Sequence, residues 1–316
     1  MLKPYINHFI DLLSLSSTSS FLSEKEPLRL DIVFEGGLFN GSYLAGGLFY
    51  LKELENRKLI CIQRLSGCSI GAITALLYFI DNEEMILKIY QLASQHFKEK
   101  YNLNMFPILF DLLRPNLPDN IMERINGKLY ISYYNVKKRE QVVKKNYKNI
   151  DDLFETIRRS CSFPYVIDKK LFYKKVYIDG LYPYLFNKEN NNNNNNNNNK
   201  ILYFNIHQFN KLGGMLSIKN EPTNTYRILE GILEIHILFL TGKKTNICSF
   251  ANDWTLIDHL YYYFFTFFMN LFFVLLHYIY IVRNMIQHSQ EKENGQIDFY
   301  KLMHRMYIYL LKKYCI

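Results

Sequence analysis

Twice before residue 80 an apolar run ends in a glycine turn that opens a helix pattern, and this repetition limits the fold more than anything else in the 316 residues. The first instance, "LRLDIVFEGG", reads as a buried strand running into Gly36 and Gly37. "GSYLAGGLFYLKELENRK" follows, with Leu44, Leu48, Leu51 and Leu54 at helical spacing and a charged end, so a helix is expected there. The second instance is the strand "LICIQRLSG" and the helix "SIGAITALLYFI". Strand, glycine turn and helix, repeated, imply an α/β sheet with parallel neighbours. In such sheets chemistry sits at the carboxyl ends of the strands, where both glycine turns fall.

Further along, 82–160 reads as mostly helical with a break at "RPNLPDN", "KKVYIDG" as a third strand ending at Asp179 and Gly180, and "ILYFNIH" as a fourth. Between these two strands an unbroken run from Asn190 to Asn199 has nothing to bury, so 187–200 is expected to be a disordered surface loop. The expected organisation is an N-terminal helix and Ser/Thr-rich linker over 1–24, a main domain over 25–220, and a helical C-terminal region over 221–316.

The totals exclude several classes. At 49% hydrophobic residues the chain can bury a sizeable core. Five cysteines fall at no metal-ligand spacing and are odd in number, so neither a metal site nor a disulfide framework is expected. The N-terminal apolar residues are broken by Asn7, His8 and Asp11, which makes a poor secretory signal and points to the cytoplasmic side. The net charge is +9, with thirteen Lys/Arg against five Asp/Glu between 128 and 175. Such a segment favours anionic partners, yet no nucleic-acid motif is present.

The strongest chemical signal is Gly67-Cys68-Ser69-Ile70-Gly71 at the second turn. A serine hydroxyl attacks well only when it is held exposed, near a base, with donors waiting for the developing oxyanion. G-x-S-x-G at a strand-to-helix turn supplies the first condition. The earlier turn, "FEGGLFNG", offers the amides of Gly36 and Gly37 beside a helix start. Gly36 to Gly41 also has the spacing of a phosphate-binding loop, but Ser42 stands where that loop needs lysine, and no G-x-G-x-x-G is present. For the base, none of the eight histidines lies in a glycine-rich turn, whereas Asp179 lies at a strand end before Gly180. A carboxylate with a reference pKa of about 3.9 is a poor base unless desolvated, so this role requires Asp179 to be buried.

Together these stations resemble the patatin-like phospholipase family. "EGGLFNGSYLAGGLFYLKEL" is similar to its glycine-rich first block, with Gly36, Gly37, Gly41 and Gly46 at matching positions; "GCSIG" is similar to the second and "IDG" to the third. "RRSCSFPYVI", with Pro164, is similar to the segment before the family's aspartate, and the resemblance covers roughly 29–210. It implies a three-layer α/β/α sheet and a Ser69–Asp179 dyad without histidine. It also implies an oxyanion hole of loop amides at Gly36, Gly37 and Leu38, and hydrolysis of a lipid acyl ester through an acyl-serine, with no metal or cofactor. Leu38 replaces the family's third consecutive glycine, and Asn40 its cation.

From Leu260 to Val282 there are 23 residues with no Asp, Glu, Lys or Arg, enough to cross a bilayer. His259, Thr266, Asn270, His277, Asn284 and His288, at spacings of seven, four, seven, seven and four, form one polar stripe on an otherwise apolar helix. The expectation is association with a membrane; the competing expectation is a helix packed on the main domain with its stripe toward solvent. Two functional rivals stand beside the lipid hydrolase: an α/β-hydrolase triad of Ser69, Asp179 and His207 or His236, and an inactive membrane-bound scaffold.

Overall fold

The computed structural model describes residues 2–15, 26–80, 82–180, 182–186, 199–207, 211, 213–218, 225–290 and 299–314. The Ser/Thr-rich linker and residues 187–198 of the asparagine loop lie outside them. The described strands are β1 (Leu28–Phe34), β2 (Ile60–Gly67), β3 (Leu129–Asn135), β4 (Glu140–Lys144), β5 (Tyr177–Ile178), β6 (Lys200–Phe204) and β7 (Cys248–Phe250). The helices are α1 (Lys3–Leu15), α2 (Gly41–Asn56), α3 (Ile70–Tyr78), α4 (Glu83–Lys100), α5 (Phe106–Leu113), α6 (Ile121–Ile125), α7 (Ile150–Ser160), α8 (Thr225–Thr241), α9 (Leu256–Gln290) and α10 (Phe299–Tyr314).

The strands form one sheet in the order β4-β3-β2-β1-β6-β7, with β5 paired to β3. β1 runs parallel to both β2 and β6, and β2 parallel to β3, while β4 and β7 are antiparallel edges. A central parallel strand is covered on both faces, which is why β1 reads as a nearly continuous apolar run. Leu30, Ile32 and Phe34 face a core built with α1, α2, α3 and α8. Val33 faces the opposite core with Tyr203, Phe186, Trp254 and Tyr262 of α9. The result is α/β/α, with α9 forming part of the second helical layer. Asp31, 1% exposed on that same run, is held bidentately by Arg64 of β2, whose guanidinium also lies over Phe186.

The region 221–316 shares this core. It supplies β7 to the sheet, and α8 packs on α2 with near backbone contact. A Cβ on Gly46 would stand 2.0 Å from the Ile228 carbonyl, and one on Gly231 would stand 2.1 Å from the Tyr43 carbonyl, so glycine on each helix permits the approach.

Three expectations need correction. Residues 129–144, placed in a mostly helical stretch, form the β3–β4 hairpin. Leu129, Ile131 and Tyr133 alternate along β3, and Asn135 turns the chain by accepting from the amides of Lys137 and Lys138, so the two-residue period and turn chemistry prevail. The strand expected over "KKVYIDG" is only Tyr177–Ile178. The polar stripe of α9 meets the domain rather than solvent: the Tyr182 hydroxyl donates to Asn270 Oδ1 at 2.8 Å, His259 packs on Trp254 and His277 on Phe172. The side chains of Asn284 and His288 lie outside the described residues.

Candidate active site

β2 and β5 meet end to end on one edge of β3. Gly67 closes β2 opposite Ile131, Ile178 stands opposite Tyr134, and β4 occupies the other edge. The gap between them is filled by Cys68–Ser69 from one side and Asp179–Gly180 from the other. A Cβ on Gly180 would lie 2.9 Å from Cys68 Cβ and 2.3 Å from the Ser132 carbonyl. Ser160, the last residue of α7 and fully buried, holds both turns. Its hydroxyl accepts from the Ser69 amide at 2.9 Å and donates to the Ser132 carbonyl at 2.6 Å, while its own carbonyl accepts from the Gly180 amide at 3.2 Å.

Ser69 occupies φ 53°, ψ −128°, a backbone region that costs a non-glycine residue about 1–3 kcal/mol. The conformation is enforced by close packing, since a Cβ on Gly71 would stand 2.4 Å from the Phe34 carbonyl and one on Gly67 would stand 2.4 Å from the Gly71 carbonyl. The turn puts the Ser69 hydroxyl at the N-terminus of α3, where the helix dipole favours developing negative charge. Above it opens an apolar cleft of about 590 Å³, its open mouth included, lined among others by Leu38, Ile73, Tyr90, Met105, Phe106 and Leu109. At Tyr90 the only polar atom is spoken for, because the hydroxyl donates to the Gly41 carbonyl at 2.6 Å.

The glycine loop lies against the same turn, since a Cβ on Gly36 would come within 2.9 Å of Ser69 Cβ. The Gly36 amide, expected among the oxyanion donors, instead donates to Cys68 Sγ at 3.2 Å. Among the described residues the amides of Gly37 and Leu38 have no acceptor. Leu38 adopts φ 50°, the left-handed conformation of a glycine, and begins a single 3-10 turn to Asn40. Asn40, 1% exposed, donates from Nδ2 to the carbonyls of Ile206 and Lys211, clamping the loop to the chain after β6.

Residues 32–182 match the model of the patatin-like phospholipase family. These residues, just under half of the chain, are similar to a patatin-like phospholipase domain. It is 29% identical over 140 residues to the omega-hydroxyceramide transacylase of Mus musculus, covering 42% of this chain and 23% of that protein. It is 26% identical over 145 residues to the 1-acylglycerol-3-phosphate O-acyltransferase Pnpla3 of Mus musculus, covering 43% of this chain and 35% of that protein. The chain therefore spans about a quarter to a third of the length of these relatives. Among solved structures, VipD from Legionella pneumophila aligns at 13% identity with a TM-score of 0.30, over 57% of this chain and 53% of that one.

The patatin-like domain encloses every station of the site. Asp179 is fully buried, the condition that a carboxylate base requires, and its charge bears on two neighbouring thiols. Burial first, and Asp179 second, push Cys68 and Cys161 well above the usual thiol range, so both stay neutral. The Glu35 carboxylate, 4% exposed, accepts from the Tyr203 hydroxyl at 2.5 Å and from the Ile206 and His207 amides at 2.8 and 3.2 Å, anchoring the start of the glycine loop to the end of β6. His207 Nδ1 lies 3.2 Å from the same carboxylate. His236 is paired with the Tyr50 hydroxyl at 2.8 Å and packed by Phe9, and burial lowers its pKa. Neither histidine lines the cleft at Ser69.

Ser160, Cys68 and Glu35 do structural work at this site that the sequence reading missed.

Proposed function

We propose that the chain is a lipid acyl hydrolase in which Ser69 attacks the acyl carbonyl and Asp179 accepts its proton. The observation that carries this reading is the meeting of the strained Ser69 turn with buried Asp179 beside an apolar cleft that Ser69 itself lines. As the Ser69 oxygen bonds to the carbonyl carbon, the oxyanion is received by the amides of Gly37 and Leu38. The alcohol portion of the lipid leaves with the proton from Asp179. Water then attacks the acyl-serine as Asp179 takes its proton, and Asp179 returns that proton to the Ser69 oxygen as the bond to the acyl carbon breaks and the fatty acid departs. The chain's own groups supply each of these steps.

Two particulars favour the dyad over a histidine triad: His207 is engaged by Glu35, and His236 by Tyr50 on the α2–α8 side. A second reading is acyl transfer, in which a lipid hydroxyl replaces water at the acyl-serine; it is favoured by the two relatives named as a transacylase and an acyltransferase. Membrane association belongs to the same proposal, given an acyl-lipid substrate and an apolar helix at Leu256–Val282 of mean hydropathy 1.9.

Fluorophosphonate labelling tests the chemistry. Folded wild type should label and Ser69→Ala should not; absence of labelling in the wild type would sink the enzyme reading, and labelling that survives the substitution would sink Ser69. Adding a long-chain alcohol during turnover separates the two outcomes of the acyl-serine, since a transferase diverts product to the new ester.

A further inference from the structure

Helix α9 turns its polar residues inward and its apolar ones outward. Between 256 and 282, fourteen large apolar side chains are exposed, among them Phe264, Phe267, Phe268, Leu271, Phe272 and Leu275. The opposite side is committed to the domain: Phe273 is fully buried against Tyr134 and Ile178, Tyr262 packs on Tyr203, and Asn270 takes the Tyr182 hydroxyl. A contiguous apolar face of this size on a folded domain is a contact surface.

Its occupant can be argued from charge. At the first turn of the helix Lys244 is paired with Asp258, which leaves Lys243 as the exposed cation there, and Lys137, Lys138 and Arg139 of the β3–β4 turn flank its far half, where Lys138 lies 3.7 Å from Glu140 and Arg139 donates to the Tyr278 hydroxyl at 2.7 Å. No Asp or Glu occurs from 259 to 282. A second copy seated on this face would set Lys137 and Arg139 against the same pair when parallel and against Lys243 when antiparallel. The undescribed segments of the chain are polar, asparagine-rich or charged, and have too few apolar residues to cover it. An anionic lipid leaflet satisfies the apolar face together with Lys243 at one end and Lys137 and Arg139 at the other.

We infer that α9 is a monotopic docking helix that lies along one anionic leaflet with the patatin-like domain above it, and does not cross the bilayer. Crossing would require the domain to follow the helix into hydrocarbon or to release it, since the packed contacts run from Tyr262 to Tyr280. This deepens the membrane part of the proposed function, and its test reads binding and topology rather than hydrolysis, so the two can fail separately.

Purified full-length chain is mixed with sealed phosphatidylcholine vesicles, with and without phosphatidylserine, and floated on a density gradient. Binding is expected to rise at least tenfold with phosphatidylserine. It should fall at least tenfold in the triple variant Phe264→Glu, Phe268→Glu, Leu271→Glu, whose circular dichroism and fluorophosphonate labelling stay those of wild type. Lys137→Glu with Lys138→Glu, which leaves the apolar face intact, should remove most of the phosphatidylserine dependence. In a Cys61→Ser, Cys315→Ser background, Lys138→Cys and Lys243→Cys should both react with an impermeant maleimide added outside the vesicles. Failure to float overturns the inference. So does one position that reacts only after lysis, which means a span, or a dimer that the triple variant dissociates, which means a second copy.

Discussion

The Ser69 amide donates to the side chain of Ser160, 91 residues away, at 2.9 Å, and the Ser160 carbonyl accepts from the Gly180 amide. One buried serine thus sets the separation of the turn that bears Ser69 and the turn that bears Asp179. Replacing it with alanine leaves a buried amide and the Ser132 carbonyl short of a partner, a cost of about 1–3 kcal/mol. Ser160→Ala is expected to lower kcat on the order of 10–100-fold with a much smaller change in KM, because misplaced reacting groups cost turnover more than binding. Steady-state kinetics on a fluorogenic long-chain ester, beside a urea melt, gives both numbers.

Leu38 holds a glycine's backbone conformation with a leucine's side chain. Relief of the left-handed strain, about 1 kcal/mol, and the greater chain entropy of glycine, about 0.5–1 kcal/mol, nearly cancel in Leu38→Gly. Stability should therefore hold to within about 1 kcal/mol. The lost cleft contact should raise KM for long-chain esters while kcat stays within a small factor. A tenfold gain in kcat would mean that Leu38 obstructs the oxyanion hole, in favour of the inactive-scaffold reading.

Glu35 and His207 separate positioning from proton transfer. Glu35→Gln keeps the shape but weakens charge-assisted bonds from Tyr203, Ile206 and His207, so it should cost about 1–3 kcal/mol and reduce kcat through the glycine loop it anchors. His207→Ala and His236→Ala should each retain fluorophosphonate labelling. Loss of labelling in either folded variant would restore the histidine triad.

Asp258 ties the first turn of α9 to Lys244, and the Lys244 hydrogen bond is the main reason its carboxyl is held down to about 2. A carboxylate depressed in the folded state contributes stability above its unfolded value near 4, and that contribution fades as pH falls toward 2. Urea midpoints of wild type should exceed those of Asp258→Asn at neutral pH, with the gap narrowing below pH 4. A gap independent of pH would show that the ion pair does not secure the helix.

The parallel core was legible because β1 is buried on both faces and both β1 and β2 run into glycine turns, so apolar runs and punctuation carried the assignment. That Ser69 and Asp179 stand just past strand ends was legible for the same reason. The β3–β4 hairpin was missed because its lysines and tyrosines mask a two-residue alternation. The inward stripe of α9 was recognised as a stripe but not as a packed one, since spacing alone does not tell which side of a helix meets protein. Ser160 was out of reach because its partners, Ser69, Ser132 and Gly180, are brought to it only by the sheet.

The end-to-end meeting of β2 and β5 also has a bearing on biosynthesis. Ser69 leaves the ribosome 110 residues ahead of Asp179, and the edge of β3 that unites them is made in between. A chain that ends before β5 therefore carries Ser69 without Asp179, and the two are brought together only once β2 and β5 have both paired with β3.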